Sequence, residues 1–352
     1  MTGVQTCALP ISDLMLAGKQ SWLFLNKPVI KSTGVVGGPL EAKGNLSEDF
    51  DILHEDLWMG EETYEKAQRL LMEEATETAL QKGNLQNDQV QFLIAGDLIN
   101  QMTPTSFAAR NLEIPHLGVF SACATTTEGL ALASMIINNN GANYILTGAS
   151  SHNSSTERQF RYPTEYGGQK PPTAQCTVTG AGVALIKKNE NERHVPVTTA
   201  ATIGKVIDLG LTDPFNMGGA MAPAAVDTII AHFNDLNRDP SYYDLIITGD
   251  LAKIGHGAAY ELLLEKGVKI EMEKFQDCGI LMYNEDQPVQ AGASGAACCA
   301  TVLYGHLLNQ MKNKVYKKIL VVATGALLSP LSYQQKESIP CTAHAVSIEW
   351  ID

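Results

Sequence analysis

Apolar positions recur at helical spacing in residues 61–82. Ala67, Leu70, Leu71, Ala75 and Ala79 fall mostly three or four apart, acids lead the stretch, and Gly83 follows it. This pattern predicts an amphipathic helix stopped by the glycine. Elsewhere the apolar runs are short and continuous, which predicts buried strands. Residues 91–97 form such a run and end in Gly96-Asp97. Residues 103–112 predict a helix, and 115–120 lead into a turn at Cys123. Residues 125–139 predict a helix with small side chains on several faces, as expected between two layers, and Gly141 ends it. Residues 143–150 predict another strand. A long polar segment follows, and 176–186 predict a return strand. Ahead of the first helix, 18–30 suit a strand with Pro28 near its end, and the Gly-rich 33–44 predict a loop.

The second half repeats this order. Leu245-Ile-Ile-Thr-Gly-Asp-Leu251 parallels Leu93-Ile-Ala-Gly-Asp-Leu98. Ala291-Gly-Ala-Ser-Gly-Ala-Ala297 takes the place of the cysteine turn, and Leu320-Val-Val-Ala-Thr-Gly-Ala326 parallels Ile145-Leu-Thr-Gly-Ala149. Duplicated β-α-β units, each with a buried helix, predict an α/β fold of stacked layers rather than one open sheet. The expected division is 14–190 and 191–352, with the polar stretch 189–195 between the halves. Residues 1–13 have neither the basic start nor the apolar core of a signal peptide. They resemble a translated sequencing adaptor, and the natural chain is expected to begin near Leu14 or Met15.

Composition narrows the function classes. Hydrophobic residues make up 45% and charged residues 18%, the latter below the usual level of about 25%. A large core is expected, and disorder is not. A net charge of −13 argues against a broad basic face for nucleic acid. No apolar run reaches the ~20 residues that span a bilayer, so membrane association is expected through partners or a surface patch. The seven cysteines include no Cys-x-x-Cys pair. Their odd number suggests a reducing compartment rather than a disulfide framework, and Cys298-Cys299 reads as small, buried helix packing. Gly-x-Gly-x-x-Gly, P-loop and His-Glu-x-x-His motifs are absent.

The stretch from Gly118 to Ala133 carries the candidate chemistry. Cys123 stands where a short apolar run turns into a helix. Backbone N–H groups and the helix dipole at such a junction favour a thiolate, and equally favour a bound anion.

The duplicated halves and this turn resemble the thiolase superfamily, nearest its ketoacyl-acyl carrier protein synthase III branch. Closer resemblance lies in Ala95-Gly-Asp-Leu-Ile-Asn-Gln101, Ser150-Ser-His-Asn153, the string from Thr156 to Pro171 with its Arg-Gln-Phe-Arg-Tyr-Pro core, Thr212-Asp-Pro-Phe215, Ala220-Met-Ala-Pro-Ala-Ala225, and the string from Val321 to Pro330. Together these resemble the stage V sporulation protein AD family of spore-forming Firmicutes, from about Leu14 to the C-terminus. The resemblance implies a layered α-β-α-β-α fold from two similar halves. It implies binding of dipicolinic acid (pyridine-2,6-dicarboxylate), uptake of this compound into the developing spore, and its release in germination. Other stage V sporulation membrane proteins are the implied partners, with peripheral association at the spore inner membrane, and a homodimer is the implied assembly. No cofactor is implied, the ligand being dipicolinate or its calcium chelate.

Acyl transfer to a cysteine needs an oxyanion hole and a donor or base beside the thioester carbonyl. In the synthase III branch a His and an Asn of the second half complete that site. Here the corresponding positions fall in Thr248-Gly249-Asp250 and Ala291-Gly292-Ala293-Ser294, with neither residue, and His256 is displaced by several positions. Cys123 is therefore read as a relic nucleophile on a pocket floor. An active acyltransferase using Cys123 is the alternative, and a structural scaffold of a membrane channel complex is a third.

A dianion on a flat ring calls for paired cations, hydroxyl or N–H donors, and a flat wall. Residues 150–170 hold the densest supply in this acidic chain: Ser150, Ser151, His152, Asn153, Arg158, Arg161, Tyr162 and Lys170, with Tyr166 nearby. The plain alternatives are solvated Arg–Glu pairs with Glu157 and Glu165, a structural His152, and a turn at a dimer interface. Asp97 and Asp250 end equivalent strands. They suit helix capping or ordering of the cations, and would be oxygen ligands if calcium accompanied the ligand.

Overall fold

The computed structural model describes residues 15–160 and 170–352; the expected leader lies outside them. Strands β1 (Leu16–Ala17), β2 (Ser21–Leu23), β3 (Val29–Gly37) and β4 (Ile52–Leu53) precede helix α1 (Tyr64–Gly83). Next come β5 (Phe92–Gly96), α2 (Thr103–Leu112), β6 (His116–Gly118), α3 (Thr125–Asn138) and β7 (Tyr144–Ser151). They are followed by α4 (Asn153–Phe160), β8 (Cys176–Thr177), β9 (Gly180–Lys187) and β10 (Val195–Ile203). The chain continues through α5 (Met217–Leu236), β11 (Leu245–Thr248), α6 (Ala252–Glu265), β12 (Phe275–Asp277), α7 (Cys278–Leu281) and β13 (Ala293–Ser294). Helix α8 (Ala296–Thr301) runs through a wider π turn, Val302–Leu307, into α9 (Leu308–Lys312). Strand β14 (Lys318–Ala326), α10 (Pro330–Gln334) and β15 (Cys341–Ile351) complete it.

The strand order repeats about the β3–β10 contact. Outward from β3 run β9, β7, β5 and β6; outward from β10 run β15, β14, β11 and β12. Both series read antiparallel, antiparallel, parallel, parallel. Helices α3 and α8 touch each other, and α3 also touches strands of both series. Helices α1 and α2 cover one outer face, and α5 and α6 the other. The result is the expected layered α-β-α-β-α arrangement. The central layer is made of small and apolar side chains, among them Leu130, Ala133, Ala297 and Ala300. Cys298 and Cys299 are buried in it, as read from the sequence.

Helix α1 forms where its periodicity places it. Thr63 caps it by accepting from the Lys66 N–H, and Asn84 ends it in the left-handed conformation. Three expectations are corrected. Residues 18–30 are not one strand, because the Asp235 carboxylate accepts from the Lys19 and Gln20 N–H groups and the Ser21 hydroxyl and holds a turn there. Residues 33–37 belong to β3 rather than a loop. Gly34 lets α1 lie against the strand, since a Cβ there would sit 2.0 Å from the Ala75 carbonyl oxygen. The polar segment after β7 begins with helix α4, which carries no apolar stripe. Its buried Ser155 instead donates to Gln68 of α1.

The parallel strands place their C-terminal ends together. Gly96 of β5, Ser151 of β7, Thr248 of β11 and Ala326 of β14 end on the side where Cys123 lies, the position favoured for sites in sheets of this kind.

Candidate functional site

Cys123 sits on a tight elbow between β6 and α3. Ala122 has φ of 49°, a left-handed conformation costing an L-residue about 1–2 kcal/mol. Local bonds hold it. The Thr125 hydroxyl donates to the Ala122 carbonyl at 2.7 Å and accepts from the Ser121 N–H at 3.2 Å. The Ala124 N–H donates to the Ser121 carbonyl at 2.9 Å. Strand β14 closes from the other half: a Cβ on Gly325 would lie 2.1 Å from the Ser121 carbonyl oxygen.

The side chain that meets the thiol is an acid. Asp250, buried beyond β11, accepts from Cys123, from the Thr324 hydroxyl at 2.7 Å and from the Gly295 N–H at 3.1 Å. Burial pushes its carboxyl up to about 7, against the opposing pull of these donors. Gln175 anchors the same turn by donating to the Asp250 carbonyl at 2.6 Å. Neighbouring Asp277 accepts from the Leu251 and Ala252 N–H groups.

A histidine does reach the elbow, from a position that sequence reasoning missed. His344 of β15 meets the Ser121 hydroxyl at 3.0 Å through Nε2. Its Nδ1 accepts from the Gly204 N–H at 3.1 Å, so Nε2 carries the proton and donates. Burial pushes the imidazole down to about 4. The Ser121 hydroxyl in turn supports Glu128. With both nitrogens engaged, His344 holds the elbow and offers no base. A lone His in an alternating strand carries no signal beyond burial. His256, weighed from sequence, donates to the Phe275 carbonyl at 3.0 Å and stacks on that ring at 4.6 Å, away from the cavity.

The cavity above Cys123 is small. It offers the centre of a water molecule about 40 Å³, a few times the roughly 10–15 Å³ that one water needs. Leu98, Phe120, Phe160, Met217, Met221 and Leu328 give it apolar walls. Thr156, Thr177 and Ser294 add hydroxyl groups beside Cys123, Gln175 and Asp250. The Thr156 hydroxyl is buried and has no hydrogen-bond partner among the described residues. No lysine, arginine or histidine is among the described lining residues.

The described members of the expected 150–170 cluster, Ser150, Ser151, His152, Asn153, Arg158 and Lys170, do not line this cavity. A strand alternates its faces, so Ser150 turns outward to Gln68 of α1, while Ser151 turns inward. Ser151 is spent there, donating to the Val178 carbonyl and accepting from the Ala297 N–H. His152 is a structural histidine. Its Nε2 donates to the Leu57 carbonyl at 2.8 Å, its Nδ1 accepts from Ser154, and burial lowers its pKa. Asn153 fastens α4 to β8 through the Thr177 carbonyl and the Cys176 sulfur. Arg158 pairs with Glu65 of α1, and Lys170 pairs with Glu157 at 3.3 Å. Asp97 accepts from Ile99 and from both Thr105 groups, which fixes the start of α2. Burial pushes its carboxyl up to about 6. Arg161, Tyr162 and Tyr166 lie outside the described residues. Thr156 and Phe160, on the inner side of α4, are what the 150–170 stretch contributes to the cavity. No group of three or more acids, histidines or cysteines suited to a metal occurs among the described residues.

Residues 18–349 match the family model of stage V sporulation protein AD. The stage V sporulation protein AD of Bacillus subtilis (strain 168) is 48% identical over 336 residues, spanning 96% of this chain and 98% of that protein. Among solved structures, 3-oxoacyl-(acyl-carrier-protein) synthase III from Aquifex aeolicus VF5 is similar with a TM-score of 0.55 and 16% identity, over 92% of this chain and 100% of its own. Xanthomonas campestris OleA bound to cerulenin is similar with a TM-score of 0.59 and 14% identity, over 93% of this chain and 100% of its own. Identities this low establish a shared thiolase-like fold.

Proposed function

Because the chain belongs to the stage V sporulation protein AD family, a sporulation family with a thiolase-like fold, we propose that it binds dipicolinate in the Cys123 cavity without turning it over. The observation that carries this reading is the cavity lining. Apolar walls suit a flat ring, and the unpartnered Thr156 hydroxyl awaits a polar group. The N-terminus of α3, which has no side-chain cap, faces the cysteine turn and favours negative charge. Arg161 follows the lining residue Phe160 in the chain, and we assign it the balancing cation. Against catalysis stands the absence of a histidine or other cationic partner at the thiol among the described lining residues. In its place Asp250 meets Cys123.

In this reading the protein serves dipicolinate uptake into the spore and its release in germination, together with stage V sporulation membrane proteins. It acts at the spore inner membrane through those partners; no helix among the described residues is long and apolar enough to cross a membrane. Phe107, Leu117 and Phe120 are exposed at and beside the sheet edge β6, which favours a homodimer through the first half. Calcium enters only as part of a chelate. Titration calorimetry of the protein with dipicolinate, with isophthalate and benzoate as controls, is expected to give one site per chain and weaker binding of both controls. No heat with dipicolinate would leave the scaffold reading in its place. The acyltransferase reading keeps one supporting observation, a cysteine at a helix N-terminus in this fold. A stoichiometric adduct from acyl-CoA, seen by intact mass and lost in Cys123→Ala, would establish it.

A further inference from the structure

A second hollow lies at the opposite end of the strands. There β3 begins at Val29, paired with Lys187 of β9 and Val197 of β10. There too β15 ends, with Trp350 opposite Pro196 and Ile351 opposite Val195. Strand β7 enters at that end and leaves toward the cysteine side, which separates the two hollows by roughly 25 Å at about 3.3 Å per residue. This groove offers the centre of a water molecule about 450 Å³.

Its lining is divided. Ile30, Val195, Pro196 and Leu308 give apolar surface, while Lys31, Lys82 and Lys312 bring cations. No acidic side chain is among the described lining residues, although the chain carries a net charge of −13. Lys82 is neutralised by Asp51 at 2.6 Å. Lys31 and Lys312 are exposed and have no ion-pair partner among the described residues.

Two donors in the lining are also unmatched. The Trp350 Nε1–H and the Tyr304 hydroxyl are buried atoms without a hydrogen-bond partner among the described residues, and Tyr304 is 1% exposed. A buried donor left unpaired costs about 1–3 kcal/mol; the Tyr304 hydroxyl lies toward Cys299 of the core, so it is the Trp350 N–H that points to a group supplied from outside. The backbone here is irregular in three places. The β3 register shifts at Lys31, His194 has φ of 57°, and Tyr304 lies in the π turn. Bulges re-aim side chains, and π turns recur at functional sites.

Lysine ammonium groups act as point charges suited to phosphate, whereas carboxylate recognition favours the arginine fork. Apolar surface beside them suits an organic body attached to the anion. We propose that this groove binds a phosphate group carried on an organic body, held by Lys31, Lys312 and the Trp350 N–H. A phospholipid headgroup and a soluble phosphate ester share that chemistry. The site is independent of the cysteine cavity.

The test uses the full chain. Sedimentation with phosphatidylglycerol or phosphatidylcholine vesicles forms one arm, and glycerol 3-phosphate followed by tryptophan emission forms the other. A protein of net charge −13 is repelled by an anionic surface as a whole, so capture reports a local site. Preference for phosphatidylglycerol is expected, weakened about fivefold by Lys31→Ala or Lys312→Ala and about 25-fold by both. Lys205→Ala, at a remote pair with Asp227, should change nothing, and Trp350→Phe should weaken binding. Response to glycerol 3-phosphate alone, with the same variant pattern, identifies a soluble ester as the ligand and keeps the site. Binding of neither probe, or equal binding by the double variant and Lys205→Ala, overturns the proposal. Both lysines are exposed, so a matched urea midpoint is expected for the double variant. Its dipicolinate binding should be unaltered, which separates this site from the cysteine cavity.

Discussion

Asp250→Asn probes the group that replaces a catalytic partner at Cys123. The buried carboxyl titrates near 7 in the fold and near 3.9 in the unfolded chain. A folded-state pKa raised in this way means that the contribution to stability is fully present below about 4. It is lost as pH rises through 7, because the unfolded chain ionises first. The full loss is about 4 kcal/mol, of which about 2–3 kcal/mol falls between pH 5 and pH 8. Asparagine keeps the shape and cannot ionise. Its amide NH2 can donate to the Thr324 hydroxyl, which turns to accept, while its carbonyl keeps the Gly295 N–H. The variant should therefore gain on wild type by about 2–3 kcal/mol between pH 5 and pH 8. Urea unfolding of both proteins at pH 5, 6, 7 and 8 measures the gap. A gap constant across that range would refute the buried, protonated Asp250.

Other substitutions test the elbow and the cavity. Gly325→Ala forces a methyl onto the Ser121 carbonyl; it should cost about 1–3 kcal/mol in urea unfolding and abolish dipicolinate heats by moving Cys123. His344→Ala leaves the Gly204 N–H without its acceptor and should cost about 2–4 kcal/mol near pH 7. Because the imidazole is held neutral to about pH 4, wild type loses stability as pH falls from about 6.5 toward 4, and the gap to this variant should narrow by about 3 kcal/mol over that range. Thr156→Val removes the unpartnered hydroxyl; stability should hold or rise by about 1 kcal/mol, while calorimetry should show dipicolinate affinity falling about tenfold. Arg161→Ala should abolish dipicolinate binding with the urea midpoint kept, and full affinity in this variant would remove Arg161 from the site.

Much of the architecture was legible because apolar spacing and glycine stops act locally. Helices α1, α2 and α3 lie within a few residues of their expected bounds, and the matched Gly-Asp and Thr-Gly strand ends lie in equivalent strands of the sheet. The glycines of β3 were misleading. Gly34 serves the approach of α1, a contact with a residue some 40 positions away that no local pattern reveals. Helix α4 was missed because its burial is polar. Chain order places Cys123 at the turn before α3 and Asp250 at the end of β11, but nothing in the sequence says that the two side chains meet. The site was not legible at 150–153, where charge and hydrogen-bonding capacity suggested a cluster but strand alternation sends neighbours to opposite layers. His344 shows the same limit from the other side: its role comes from a contact 223 residues distant in the chain.

Protection of Cys123 tests the placement of the ligand most directly. Cys123 is partly exposed and lines the cavity, so N-ethylmaleimide labelling followed by peptide mass mapping reads access to it. Saturating dipicolinate is predicted to slow labelling of Cys123 at least about tenfold, with isophthalate protecting less and benzoate least. Labelling of Cys123 at an unchanged rate, under conditions where calorimetry shows dipicolinate bound, would contradict a ligand site at the cysteine.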